Sequence, residues 1–263
     1  METRLDGRVA LVTGAGSGIG EATALLLAEQ GARVAALSRS RDELEKVVAE
    51  IEERGGAGLV VVADISKPEE MEAAVSKIID TWGRLDIVFA NAGINGMWAP
   101  IEDLKPEEFQ QTMDVNVLGT FLTLKYTVPY LKEEEQGAIV ITSSVNGTRK
   151  FSLSGATAYA SSKAAQVAMA KMLALELADA HIRVNVICPG AIITQIDENT
   201  SRRNLNEVGE PVEYPEGNIP LTDGQPGSSK DVAQLVLFLV SDASSHITGT
   251  PVWIDGGETL LQG

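Results

Sequence analysis

Thr13-Gly14-Ala15-Gly16-Ser17-Gly18-Ile19-Gly20 joins a short apolar run, Arg8 to Thr13, to an amphipathic stretch that starts at Gly18. Small side chains on such a turn let the backbone close on a pyrophosphate, and the helix that follows offers free N–H groups and the positive end of its dipole. A flexible surface turn would need neither the strand before nor the helix after, and both patterns are present. The glycines fall at 14, 18 and 20. This is not the commoner Gly-x-Gly-x-x-Gly, because Ile19 stands where its third glycine would be, and it points to a particular branch of dinucleotide binders. The chain has no Gly-Lys dipeptide, which excludes the phosphate loop of a nucleoside-triphosphate enzyme. Gly14, Ser17, Gly18 and Ile19 are the candidates for phosphate contact.

Outward from the turn, short β-branched runs alternate with longer amphipathic ones. Strands are expected at Arg8 to Thr13, Arg33 to Ser38, Gly58 to Ala63, Leu85 to Ala90, Ala138 to Ser143, Arg183 to Cys188 and Pro251 to Ile254. Helices are expected at Gly18 to Gln30, Arg41 to Arg54, Pro68 to Trp82, Pro106 to Leu131, Ala156 to Ala178 and Lys230 to Ser241. Parallel neighbours need crossovers of helical length, so this order predicts an α/β fold: one doubly wound, Rossmann-type domain over residues 1–263, with a parallel seven-stranded sheet and helices on both faces. Pro68 and Pro106 suit first helical turns, Gly31 marks a helix end, and Pro129 is expected to bend or end the helix that begins at Pro106. Residues 190–229, rich in Gly, Pro, Asn and Glu, are longer than a connector needs and read as a lid over a binding site.

Composition narrows the partners. The 263 residues carry 21 basic and 37 acidic side chains, a net charge of −16. Such a chain is repelled by phosphate backbones and anionic lipid, and no local basic run offsets this, so neither nucleic acid nor membrane is an expected partner. The lone Cys188 cannot form an internal disulfide, and Met1 to Gly7 with the short run after it lacks the core of a secretory leader; the expected address is cytoplasmic. His181 and His246 are too few for a histidine-rich centre, and no metal site is expected.

The end of the second strand bears on which dinucleotide is held. NAD sites commonly place an acidic residue there for the ribose 2′-hydroxyl. This chain has Ser38-Arg39-Ser40-Arg41. A guanidinium can hold a 2′-phosphate through paired hydrogen bonds, and a serine hydroxyl can donate to it, so Ser38 and Arg39 favour NADP(H), with NAD(H) the alternative.

Tyr159-Ala160-Ser161-Ser162-Lys163 opens the helix expected from Ala156, and an i, i+4 pair shares one helix face. Alone this motif is weak. Taken with the glycine turn, Asp64, Asn91-Ala92-Gly93, Asn116, Ser144, Pro189-Gly190 and the closing Asp255-Gly256-Gly257, it resembles the short-chain dehydrogenase/reductase family over essentially the whole chain. The resemblance implies Tyr159 as general acid/base, Lys163 beneath it, Ser144 positioning the substrate oxygen and Asn116 in a water-linked proton relay. It also implies Asp64 and Ile65 near the adenine, Asn91 near the adenosine, and Pro189, Ile192 and Thr194 near the nicotinamide. Two features depart from the family pattern: Ala90 precedes Asn91, and Ser144 lies 15 residues before Tyr159, which keeps Ser143 as the alternative serine. An ammonium ~4 Å from a phenol at an effective dielectric of ~20 supplies the ~4 kcal/mol that would bring it toward neutral.

The apolar Met97, Trp98, Phe151, Leu153, Ile193, Ile196 and Tyr214 are the expected pocket wall, with Asp197, Glu198, Glu207, Glu210 and Glu213 facing solvent. The expected substrate is a small uncharged ketone or aldehyde, or the matching alcohol. A sugar dehydrogenase using NAD and a catalytically silent dinucleotide sensor are the alternatives. The resemblance further implies a homotetramer, its long helices pairing across one interface, with Ala164, Ala165 and Ala168 permitting close approach unless they pack on the protein's own sheet.

Overall fold

A computed structural model describes residues 3–134, 136–209 and 218–262. The chain runs β1 (Val9–Thr13), α1 (Gly18–Glu29), β2 (Arg33–Ser38), α2 (Arg41–Glu53), β3 (Ala57–Val62), α3 (Pro68–Trp82), β4 (Ile87–Ala90), β5 (Gly96–Trp98), α4 (Pro106–Met113) and α5 (Gly119–Glu133). It continues through β6 (Gly137–Thr142), α6 (Thr157–Glu176), β7 (Ile182–Pro189), β8 (Thr200–Arg202), α7 (Ser229–Val240), β9 (Pro251–Ile254) and α8 (Glu258–Gln262). Seven strands form one parallel sheet in the order β3-β2-β1-β4-β6-β7-β9. The winding reverses between β1 and β4, and a crevice opens beyond their C-terminal ends, where such sheets bind ligands. The expected seven-stranded doubly wound fold is therefore the one observed.

Side-chain alternation along each strand builds the two helical layers. Val9 and Leu11 of β1 join Met71, Ile78, Leu122, Leu131, Ala170 and Leu177 from α3, α5, α6 and its end. Ala10 and Val12 point the other way, into Leu27, Leu44 and Val236 of α1, α2 and α7. Each large apolar side chain so buried contributes ~1.5–3 kcal/mol. Both faces are covered, which is why the strands read as nearly continuous apolar runs.

Pro129 lies inside α5, which continues to Glu133, so the expected bend or stop there does not end the helix. The buried Leu122, Leu124 and Leu131 on either side of it pack into the core and carry the helix across the missing N–H. The irregularity falls earlier. Asp114–Leu118 forms a single π turn between α4 and α5, a feature that often marks a functional position. Within residues 190–229, β8 pairs with β5, and short 3-10 turns occupy Ile196–Asn199, Leu205–Glu207 and Pro220–Thr222. Glu210, Glu213 and Tyr214 lie outside the described residues. No helix among the described residues is long and apolar enough to cross a membrane.

Candidate active site

The glycine turn is held so closely that larger residues do not fit. Gly14 has φ +67°, and a Cβ there would lie 3.0 Å from the Ala92 Cα. A Cβ on Gly20 would overlap the Gly14 carbonyl oxygen, so α1 packs directly on the turn it follows. Ser17 precedes α1 without a side-chain capping bond, leaving the first N–H groups of the helix for a ligand. Thr13 ties the strand tips together: its hydroxyl accepts the N–H groups of Asn91 (2.9 Å) and Ala92 (3.1 Å), Asn91 Nδ2 donates to the Thr13 carbonyl, and Thr142 donates to Asn91 Oδ1 (3.1 Å).

A cleft of about 670 Å³ runs across these tips. Gly14, Ser17, Gly18, Ile19, Ser38, Arg39, Asp64, Ile65, Asn91, Ser144, Tyr159, Lys163, Pro189, Ile192 and Thr194 all border it, so the structure brings together every residue nominated for the cofactor. A glycine cradle that a Cβ would fill, an uncapped helix start and a cleft of this length fit a dinucleotide. On the cleft wall, burial pulls the Asp64 carboxyl upward, but two hydrogen bonds from Ser66 and the nearby Arg39 and Lys67 prevail and hold it below the usual carboxylate range. Ile65 is buried against Gly119, where a Cβ would meet its side chain. Thr194 comes within 3.3 Å of a Cβ placed on Gly18, so it lies close over the glycine turn.

Tyr159 and Lys163 sit one above the other on α6, both buried, with Lys163 Nζ 5.6 Å from the phenol ring centre. Nζ donates to the Thr142 carbonyl at 3.0 Å. Burial pulls the Lys163 ammonium down to about 8, partly countered by Cys188. Burial also pushes Tyr159 above the ordinary phenol range, and a hydrogen bond with Ser144 opposes that shift. The phenol is therefore raised by burial and not brought toward neutral, contrary to the expectation from its spacing to Lys163. Desolvation of its own charge outweighs the Ser144 hydrogen bond, while the ammonium is turned toward a strand carbonyl.

The two serines separate cleanly. Ser143 also borders the cleft, but its hydroxyl is engaged, donating to the Lys163 carbonyl at 2.7 Å. Ser144 faces Tyr159 and accepts the Asn146 N–H at 3.1 Å. Asn116 lies behind the cleft at the π turn, fully buried. Its Oδ1 accepts the Ile94 N–H, and its Nδ2 donates to the Ile94 carbonyl and to Ser162, each at 2.9 Å. Its own carbonyl accepts from Thr120 (2.8 Å) and Gln166 (2.9 Å). Gly93 admits this arrangement, since a Cβ there would come 3.0 Å from Asn116 Oδ1 and 3.4 Å from Lys163 Nζ.

The expected pocket wall is only partly found. Trp98 packs with Ala156 and Tyr159, and Ile196 borders the cleft, whereas Phe151 and Ile193 are 74% and 68% exposed. Gln195, Glu198 and Asn199 also border the cleft, where Glu198 is exposed to solvent as expected. Glu43, Ser162 and Gln166 were not singled out from sequence. The last two sit one residue before and three after Lys163, as ordinary members of a helix pattern, and Glu43 is one of several acids opening α2.

Comparison with known proteins agrees with this geometry. A family model described as enoyl-(acyl carrier protein) reductase matches residues 14–259. A 3-oxoacyl-(acyl-carrier-protein) reductase of Thermotoga maritima is 39% identical over 254 residues, covering 97% of this chain and 98% of its own. The crystal structure of a 3-ketoacyl-ACP reductase from Sinorhizobium meliloti 1021 superposes with a TM-score of 0.93 at 58% identity, over 96% of this chain and 99% of that one. A 3-ketoacyl-(acyl-carrier-protein) reductase from Brucella melitensis, complexed with NADH, gives a TM-score of 0.85 at 34% identity, over 97% and 99%. With this sheet, this cleft and these relatives, the chain belongs to the short-chain dehydrogenase/reductase family, as an NAD(P)(H)-dependent oxidoreductase of a carbonyl or its alcohol.

Proposed function

We propose that the protein interconverts a small uncharged ketone or aldehyde and its alcohol, with NADP(H) favoured over NAD(H). The observation that carries this reading is the pairing of Ser144 with a buried Tyr159 above Lys163, all three on one cleft with the glycine turn. Arg39 on the cleft supports the phosphorylated cofactor.

When bound, the nicotinamide supplies or accepts a hydride. In the reductive direction Tyr159 donates its proton to the substrate oxygen, and Ser144 hydrogen-bonds that oxygen as negative charge develops on it. Lys163 favours the phenolate left behind, at a cost lowered because the Thr142 carbonyl already holds the ammonium in place. Asn116 acts behind them, holding Ser162, whose hydroxyl donates to the Tyr159 carbonyl at 2.7 Å, and serving the proton relay. The described parts of the expected lid, residues 190–209 and 218–229, are assigned to cover this site, within a single domain over 1–263. The test is NADPH consumption, followed by absorbance, across a panel of ketones, aldehydes and ketosugars; activity confined to anionic substrates would overturn the substrate class. Gln195, Glu198 and Asn199 on the cleft favour a second reading, a polyol or sugar alcohol held by hydrogen bonds, which the same panel separates.

The assembly proposed is a homotetramer in the cytoplasm. Ala164 and Ala168 are exposed rather than packed on the sheet, with Met172 and Leu175 further along the same helix 73% and 83% exposed and Phe121 of α5 48% exposed. Such a face suits a second copy, and light scattering measures the mass.

A further inference from the structure

We propose that Glu43 is a cofactor-specificity residue, a carboxylate that enters the ribose end of the cleft from α2 and works against Arg39. The proposal rests on the reading that the cleft takes NADP(H) and NAD(H). A Cβ built on Gly16 would lie 2.5 Å from Glu43 Oε2, 3.0 Å from Glu43 Cβ and 3.3 Å from Ser38 Oγ. The carboxylate therefore rests on the glycine turn, beside the serine that ends β2. Ser38, Arg39, Ser40, Glu43 and Lys46 all border the cleft at this end.

The position where NAD sites commonly carry their acid holds Ser38, and that absence was the reason to favour NADP(H). In space the acid has not been lost. Glu43 brings a carboxylate to the same strand end from the first turn of the next helix. A carboxylate there accepts a hydrogen bond from a free ribose hydroxyl and repels a phosphate on that hydroxyl. Its field reaches the cleft wall, where burial raises the Glu21 carboxyl and repulsion by Glu50 and Glu43 adds to that rise. Arg39 acts in the opposite sense, and its charge is shared with Asp64, which it helps to keep ionised. Arg41, the next basic residue, is paired with Glu45 at 3.6 Å. Opposed charges on one subsite, Glu43 against Arg39 and Lys46, give a cofactor preference that is a difference, and each of these residues can move it.

Isothermal calorimetry with NADP+ and with NAD+ tests this on the intact protein, wild type against Glu43→Gln, with thermal melting to confirm folding. Glu43→Gln is expected to tighten NADP+ about tenfold, ~1.4 kcal/mol, and to weaken NAD+, whereas Arg39→Ala moves the ratio of the two Kd values the other way. An unchanged ratio in Glu43→Gln, or equal shifts for both nucleotides, overturns the proposal. If the wild type prefers NAD+ while Glu43→Gln still moves the ratio toward NADP+, the NADP(H) preference falls and the role of Glu43 stands. Failure of the wild type to bind either nucleotide overturns both.

Discussion

Replacing Lys163 by Met removes a charge that the fold tolerates and the proposed chemistry needs, so activity and stability should move apart. Nζ lies 5.6 Å from the Tyr159 ring centre. With the phenolate charge placed at the ring centre and an effective dielectric of ~20, a unit charge at that distance favours the phenolate by about 3 kcal/mol, or roughly two pKa units. At pH ~7 the ammonium is charged, because its own value is about 8. Alcohol oxidation, which requires the phenolate, should then lose ~100-fold in kcat/KM near pH ~7, and its acid limb should move up by about two units in Lys163→Met. Stability follows a different sign. The folded value of about 8 lies below the ordinary 10.5, so the unfolded chain binds the proton more tightly between them. Wild-type stability therefore rises as pH goes from about 8 to 10.5 and falls again as pH drops back through that window, while the variant lacks this slope. Below pH ~8 the variant escapes a burial cost of roughly 3 kcal/mol and loses the donor to the Thr142 carbonyl, worth ~1–3 kcal/mol, so its Tm should hold or rise. Steady-state oxidation across the pH range, paired with melting at each pH, reads both effects. An acid limb that stays in place in a folded Lys163→Met variant refutes the role of the charge.

Tyr159→Phe should lower turnover by ~10²–10⁴-fold or more while leaving the calorimetric Kd for NADP+ within about twofold, because the proton donor goes and the cradle stays. Gly20→Ala forces a Cβ against the Gly14 carbonyl oxygen, so the turn must shift; a loss of ~3 kcal/mol, seen as a Tm lower by ~6–12 °C, should accompany lost nucleotide binding. Asp64, Asp231 and Asp255 are all held below the usual carboxylate value of 3.8 by hydrogen bonds that prevail over burial, so each contributes stability present above that value and lost as pH falls through the lower folded value. Acid melting of Asp255→Asn should be flatter than wild type in that range, and an identical acid limb would count against the Thr259 and Gly257 hydrogen bonds.

What could be read without coordinates was whatever leaves a constraint on residue type. Gly14 and Gly18 need positive φ and Gly20 needs the absence of a Cβ, so the turn is written in glycine and visible at once. The sheet strands are covered on both faces, so they stand out as apolar runs even where their ends shift by a residue or two. β5 and β8 were not visible because three residues carry no periodicity, and their pairing joins segments about a hundred positions apart. Pro129 does not end α5, because the local backbone preference is set against core packing that the chain pattern alone cannot weigh. Ser143 and Ser144 are adjacent and chemically identical; only the direction of each side chain, one to an α6 carbonyl and one to the phenol, tells them apart. The balance of charge at the ribose end is the sharpest case. A strand-end pattern is read along the chain, and along the chain Ser38 has no acid beside it. The subsite is built in space, where α2 returns Glu43 to that serine across Gly16. A net charge of −16 says nothing about such a place, since what an anionic ligand meets there is set by the few side chains within a Debye length, of ~8–10 Å, and by which of them point at it.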